Sequence, residues 1–281
     1  MIFFFLFFSP SLSYSYLDVP AAYTLDKGLI EGSIFYNVIN DNIPLLGELA
    51  ENPERNAAGE FDSLDFLLNF GVTSWLTLSL KGGVANFAFE DRELNFRRFD
   101  AGLRFKLLEE KESFPALALG FNYRDQRAFE ETLRGGRTVR IGGLEDETFT
   151  FSLLASKRFL DQLAGHIFFG GDRVSLPIRN ESTFFLGTGF DYQISSKLLF
   201  QFTYKHNRVN RQQEENGENN IFDGKLTYFL ASFLALTIQG RASTSLFQGE
   251  IPFLDRVGAA VRDEAFGYLG FGITVLYDLL R

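Results

Sequence analysis

The sequence predicts a transmembrane antiparallel up-and-down β-barrel of about twelve strands, and three observations predict it. Segment after segment alternates apolar and polar residues at period two. Phe149, Phe151, Leu153 and Ala155 interleave with Thr148, Thr150, Ser152 and Ser156, and Phe200, Phe202 and Tyr204 with Gln201, Thr203 and Lys205. A strand that is apolar on one face and polar on the other separates lipid from a watery interior. The connections alternate between short and long, as the two rims of such a barrel require. Aromatic residues collect at the segment ends. Trp75, Phe159, Tyr192, Tyr228, Phe233 and Tyr277 lie beside short connections, and Tyr36, Phe89, Tyr123 and Phe149 near long ones, in the places of two interfacial girdles. A soluble β-sandwich or lipocalin-like barrel is the competing fold, and it would have to be apolar inside, where this pattern puts opposed charges.

Composition narrows the class. The 281 residues carry no linker-like stretch and read as one domain. Hydrophobic residues make up 46% and aromatics 16%, with 34 Phe and a single Met, a balance that favours strands. Beyond the N-terminus no apolar run reaches the roughly 20 residues of a membrane helix. The absence of cysteine excludes a disulfide scaffold and thiolate metal sites, and suits passage through an oxidising periplasm. A net charge of -9 argues against nucleic acid as a partner. Residues 1–15, M-I-F-F-F-L-F-F-S-P-S-L-S-Y-S, read as a signal peptide cleaved after Ser13 or Ser15, although a basic n-region is missing. Residues 16–281 are then the barrel domain, in the outer membrane of a Gram-negative bacterium.

The elements follow in order. After a polar lead-in, L-D-V-P-A-A-Y-T-L-D-K-G, the first strand runs from Leu29 to Ile39, with Ile30, Ile34, Tyr36 and Val38 opposite Glu31, Ser33 and Asn37. A connection of about twenty residues leads to the second strand, where Leu64, Phe66, Leu68 and Phe70 oppose Ser63, Asp65 and Asn69. The tight G-V-T-S-W turn passes to Leu76, Leu78 and Leu80 against Thr77, Ser79 and Lys81. Strands near Phe99 to Leu107 and Pro115 to Arg124 flank the short L-E-E-K-E-S turn, and a long connection through R-A-F-E-E-T-L-R-G-G-R-T-V-R-I-G-G-L-E-D-E follows. Further strands are expected near Thr148 to Phe159, Ala164 to Gly171, Thr183 to Gln193, Leu198 to Asn207, Ile221 to Leu230, Leu234 to Arg241 and Phe266 to Leu279. That makes twelve, with ten or fourteen as alternatives, and puts both termini on the short-turn, periplasmic side. The final G-I-T-V-L-Y-D-L-L-R resembles the strand by which the barrel-assembly machinery recognises its clients. Gly272, Val275 and Tyr277 take the pattern's places, while Leu280 and Arg281 replace its terminal aromatic.

Three stretches, D-V-P-A-A-Y-T-L-D-K-G-L-I-E-G, G-V-T-S-W-L-T-L-S-L and F-P-A-L-A-L-G-F-N-Y, resemble the exopolysaccharide-associated (YjbH-like) family of outer-membrane barrels. The resemblance covers roughly the first 125 residues, and Ala22 and Tyr23 depart from the family's opening pattern. It implies an outer-membrane barrel with a link to surface polysaccharide, and it carries no reaction and no catalytic residues.

The residues that could carry chemistry lie mainly on the polar face. By parity Lys81, Arg98, Arg104, Lys106, Arg124, Lys205, Lys225 and Arg241 point inward, with Glu31, Asp65, Asp100, Asp191, Asp223 and Asp278. Such a lumen reads either as a passage selecting small anionic solutes or an acidic polysaccharide, or as a self-neutralised filling. Arg134, Arg137 and Arg140 form a basic loop cluster suited to lipopolysaccharide phosphates or acidic sugars. The plainer reading is a solvated loop balanced by Glu130, Glu131, Glu145 and Asp146.

His206 shares parity with Tyr204 and so faces lipid. Its placement resembles the catalytic histidine of outer-membrane phospholipase and lipid A deacylase barrels, which makes a lipid-facing hydrolase the alternative function. Arg208 stands where those motifs have serine, leaving Ser182 as a remote partner. His166 is the only other histidine. Without H-E-x-x-H, cysteine or G-x-S-x-G, no metal, no cofactor and no common hydrolase motif is indicated. A structural or adhesive barrel with a closed lumen is the third reading. Two apolar loops, I-P-L-L-G-E-L-A and I-P-F-L-D-R-V-G-A-A-V, are expected as short helices tucked into the barrel mouth or packed among the loops.

Overall fold

The computed structural model describes residues 21–39, 60–89, 92–133, 137–140, 145–175, 180–211, 217–244 and 266–280. Its strands are β1 (Leu29–Ile39), β2 (Glu60–Thr73), β3 (Leu76–Phe89), β4 (Arg92–Leu108), β5 (Ala116–Leu133), β6 (Arg137–Arg140) and β7 (Glu145–Leu160). They continue with β8 (Leu163–Ser175), β9 (Asn180–Ser195), β10 (Leu198–Arg211), β11 (Gly217–Ala231), β12 (Leu234–Ser243) and β13 (Phe266–Asp278). Twelve of them close into one antiparallel barrel, in which β13 pairs with β1 and β5 pairs directly with β7. The four-residue β6 lies outside the wall, paired with the far end of β5.

Alternation decides which face each residue takes. Along β9, Glu181, Thr183, Phe185, Gly187, Gly189 and Asp191 are buried, while Ser182, Phe184, Leu186, Thr188, Phe190 and Tyr192 are exposed. The burial is inverted relative to a water-soluble protein: Ile167 and Phe184 are 58% and 57% exposed, whereas Glu31 and Asn69 are 0% exposed. A continuous apolar exterior needs lipid against it, and closure leaves no backbone edge unpaired in that lipid. The short-turn girdle is in place, with Trp75, Phe159, Tyr192, Tyr228, Phe233 and Tyr277 all exposed outward.

Four connections of the short-turn rim are two residues long, Ser74–Trp75, Asp161–Gln162, Ser196–Lys197 and Ser232–Phe233, each beside a register shift in its ladder, and residues 109–115 join β4 to β5. Bulges there add local twist where the chain must reverse.

At the opposite rim the structure corrects the sequence reading. β3 and β4 run on past Lys81 and begin before Phe99, so that residues 90–91 alone separate them. β5 continues to Leu133 and β7 begins at Glu145, so much of the expected long connection is sheet. Asp146, expected in a loop, is a buried residue of β7. Eighteen residues of β5 span about 59 Å, or about 45 Å along the normal at a ~40° tilt, against a hydrocarbon core of about 30 Å. The excess stands in water on both faces, where period-two patterning is no longer needed but the ladder still forms. The expected signal peptide and both apolar loops lie outside the described residues.

The interior also holds apolar side chains that the alternation had reserved for polar ones. Phe35, Phe168 and Phe185 point inward and lie over glycines on adjacent strands. A Cβ at Gly187 would collide with the Phe168 ring, and one at Gly272 with the Phe35 ring. These joints are where glycine is required, because only a missing side chain leaves room for the ring.

Candidate functional site

The barrel interior divides into two electrostatic halves. On β2 to β5, Asp65 accepts from Arg98 Nη2 at 2.5 Å and from Asn37 Nδ2 at 3.1 Å, with Lys81 Nζ at 3.9 Å. Asp100 accepts from Arg124 Nε at 2.6 Å and lies 3.6 Å from Arg98 Nε. Two aspartates thus hold two arginines and a lysine in a connected cluster. Its carboxylates are almost wholly buried, so charge-assisted contacts are what make their burial tolerable.

The other half, on β9 to β13, is a lane of cations laid over aromatic rings. Lys205 Nζ lies 5.3 Å from the centre of the Phe185 ring, Lys225 Nζ 5.4 Å from Phe35, and the Arg241 guanidinium 5.6 Å from Tyr268. Arg241 also donates to both oxygens of Asp223, at 2.5 and 3.1 Å. Among the described residues no carboxylate lies within ion-pair distance of Lys205. Between these groups opens a small interior cleft lined by Gln201, Thr203, Asp223, Lys225, Gln239, Arg241 and Tyr268. Its amides, hydroxyl, cations and aromatic face are the groups that recognise a small polar anion.

The inward charges expected from parity can now be placed, Asp278 among them as the last residue of β13, where it accepts from the Leu280 N–H at 3.0 Å. Glu31 is wholly buried and accepts from Asn69 Nδ2 at 2.9 Å. Arg104 is buried and donates to the Tyr23 carbonyl at 3.2 Å. Lys106 sits at the short-turn rim, 3.0 Å from the exposed Glu109. Lys81, Arg98, Asp100, Arg124 and Asp65 form the first cluster, and Lys205, Lys225 and Arg241 the second lane. Sequence reasoning missed two further inward acids, Asp146 and Glu181, each buried and set in a strand that starts earlier than its alternation suggested. Of the loop arginines, Arg134 lies outside the described residues, and only the backbone of Arg137 and Arg140 is described, as the two ends of β6.

The segment preceding β1, expected as a polar lead-in, is inside the barrel. It forms a strap from Ala21 to Gly28 at the short-turn end. Gly28 N–H donates to the Gly71 carbonyl at 2.8 Å, and Leu25 N–H to Thr77 Oγ1 at 2.8 Å. Thr24 Oγ1 donates to the Ser74 carbonyl at 2.9 Å, and Ala22 N–H to Ser156 Oγ on β7 at 2.7 Å. Ala22 packs with Ala116, Ala118, Leu154, Phe168 and Phe185. The Tyr23 hydroxyl donates to Glu110 at 2.9 Å, and burial, reinforced by that carboxylate, pushes the phenol above its ordinary range.

Behind the strap lies a Ser, His and Asp set. Ser156 Oγ is 2.8 Å from His166 Nδ1, and His166 Nε2 is 3.2 Å from Asp191 Oδ2, a contact too bent to count as a hydrogen bond. Asp191 Oδ1 accepts from Gln201 Nε2 at 3.1 Å. The composition is that of a hydrolytic triad, but the chemistry is not. The serine oxygen accepts the Ala22 N–H, and Ser156 is 1% exposed, so a substrate carbonyl has no access to it while the strap is seated. Wall N–H groups are committed to the ladder, leaving none to stabilise an oxyanion. The set works as an anchor for the strap.

On the outer face, His206 Nδ1 is 2.9 Å from Asn220 Oδ1, which also accepts from the Tyr204 hydroxyl at 2.8 Å. Ser182 pairs with Asn210, four residues along β10 from His206. At about 3.4 Å per residue the two side chains are roughly 14 Å apart, so Ser182 cannot serve as the nucleophile of this histidine.

No family profile and no curated protein matches the chain. Solved structures do. An outer membrane channel from Pseudomonas putida F1 superposes with a TM-score of 0.57, at 10% identity over 93% of this chain and 100% of its own. The NanC porin gives 0.52, at 9% identity over 88% and 98%. LpxR from Salmonella typhimurium gives 0.51, at 10% identity over 87% and 99%. The fold is therefore that of outer-membrane barrels.

Proposed function

We propose that this chain is a passive outer-membrane channel for small anionic solutes, with its path through the cleft between β10, β11, β12 and β13. The observation that carries the reading is the lane of Lys205, Lys225 and Arg241 over aromatic rings. Arg241 is held by Asp223, and Lys205 and Lys225 lie over aromatic rings beside it, so that cations line the cleft side. Fixed charge in a narrow, low-dielectric passage raises the local concentration of the opposite sign, which is how rings of lysine and arginine favour anions. Names of the porin and channel neighbours agree with this reading. An acidic surface polysaccharide, implied by the family resemblance of the first 125 residues, presents the same carboxylate chemistry to the same lane.

The hydrolase alternative lacks a nucleophile near His206 and an oxyanion donor near Ser156, so the geometry supports it less. Swelling of proteoliposomes in isosmotic sugar solutions tests the channel. A hexuronate should enter faster than the uncharged hexose of the same size, and Lys225→Gln should narrow the difference. Equal rates for the two sugars would overturn the assignment.

A further inference from the structure

The strap is seated unlike any wall strand. Its described cross-links to the wall run largely through side chains, with the Ala22 and Leu25 amides bonded to the hydroxyls of Ser156 and Thr77. Nothing in the barrel ladder depends on these bonds, since β1 begins only at Leu29 and pairs along its length with β2 and β13. The inner part of the strap is nevertheless enclosed: Ala22 and Leu25 are each 0% exposed, while Asp26 and Lys27 at its outer end are exposed. The wall is cut to receive it. Gly71 of β2 has as its three nearest obstacles to a Cβ the Asp26 oxygen, the Asp26 carbonyl carbon at 2.8 Å and the Leu25 oxygen at 2.9 Å, all strap backbone. Ala116 and Ala118 of β5 supply the matching shallow floor under Ala22.

We propose that Ala21–Gly28 is a removable stopper that closes the short-turn end of the lumen, and that conduction requires it to leave its seat. The inference rests on the channel reading. Its energetics are those of a docked peptide: a small apolar cluster, two amide-to-hydroxyl bonds, the hydroxyl bonds of Thr24 to Ser74 and of Tyr23 to Glu110, the Gly28–Gly71 backbone bond and the carbonyl contact with Arg104, against the freedom that eight residues would regain on release. Ser156, His166 and Asp191 form the far anchor, and the Gly71 notch forms the near one. When the strap leaves, the hydroxyl of Ser156 and the carboxylate of Asp191 become lumen groups and the barrel interior becomes continuous with the short-turn side.

The test uses the full chain, which has no cysteine of its own. Leu25→Cys reports the strap through its rate of reaction with a water-soluble maleimide in detergent micelles, and planar-bilayer recording reports the lumen. Gly71→Ala is the wedge that pushes against the strap backbone from within the wall. Ser156→Ala is the second variant, which removes the far acceptor without touching the ladder. Heat-modifiable migration on gels confirms that each variant is a folded barrel. The expected result is labelling at least tenfold faster than in the parent, with channel openings that the parent rarely shows, in one or both variants. Folded variants that label and conduct at the parent's level would overturn the stopper. Fast labelling without current would overturn the channel reading instead, leaving a strap that uncovers a lumen closed by its own side chains.

Discussion

Replacing Asp100 by Asn removes the carboxylate that joins two arginines, and its cost can be worked from the cluster. Asp100 is 4% exposed at its side chain, Arg98 20% and Arg124 29%, so the pair interactions operate in a largely desolvated setting. Breaking a buried ion pair by deleting one partner costs about 3–5 kcal/mol, because the remaining charge is left uncompensated. Arg98 keeps its 2.5 Å bond to Asp65, which places the expected loss near the lower end, about 3 kcal/mol. Urea unfolding from lipid vesicles, followed by the emission of the single tryptophan, Trp75, is the assay. With a slope of roughly 1–3 kcal/mol per molar, the midpoint should fall by about 1–3 M. Adding Arg124→Gln should recover about 1.5 kcal/mol or more of that loss, since the stranded partner is removed too. A single variant within about 0.5 kcal/mol of wild type, or a double variant whose losses simply add, would refute the view that this cluster is held by mutual neutralisation.

Three further outcomes follow from the same geometry. Gly272→Ala should destabilise the barrel by about 2 kcal/mol through overpacking against the Phe35 ring, and Phe35→Leu should restore most of it in the same urea assay. The Tyr23 phenol holds its proton more tightly in the folded chain than when unfolded, so its contribution is complete below the ordinary phenol value of about 10 and is lost as pH rises beyond it. Channel openings should therefore increase between neutral pH and pH values above about 10, and Tyr23→Phe should remove that dependence. His206→Ala should leave lipid deacylation by the refolded barrel at background, as in wild type; activity in wild type that vanishes in the variant would restore the hydrolase reading.

The barrel was legible because membrane strands must obey period two wherever lipid touches one face. That constraint fixed the facing of Lys81, Arg98, Lys225 and Arg241 from parity alone. It lapsed beyond the bilayer, where β3 runs on past Lys81 through Gly82 and Gly83. In the structure Gly83 sits inside β3 because a Cβ there would approach the Leu64 carbonyl to 2.8 Å and press on Asp65. The strap was read as a lead-in because eight irregular residues carry no period, and their burial comes from what the wall offers them. Only the small residues that receive it, Ala116 and Ala118 under Ala22 and Gly71 against the backbone of Leu25 and Asp26, mark the contact, and those positions are far apart in sequence. His166 was passed over for a similar reason: its partners Ser156 and Asp191 lie on neighbouring strands, and the register that joins them is visible only once the barrel closes.

The central claim is that the cations on β10, β11 and β12 make this interior an anion path. Its most direct test is the reversal potential of the Gly71→Ala barrel in a planar bilayer across a steep potassium chloride gradient, repeated with Lys205, Lys225 and Arg241 changed to glutamine. A potential on the chloride side that moves toward zero as the three cations are removed is the predicted result. A potential on the potassium side, or one indifferent to all three substitutions, would contradict it.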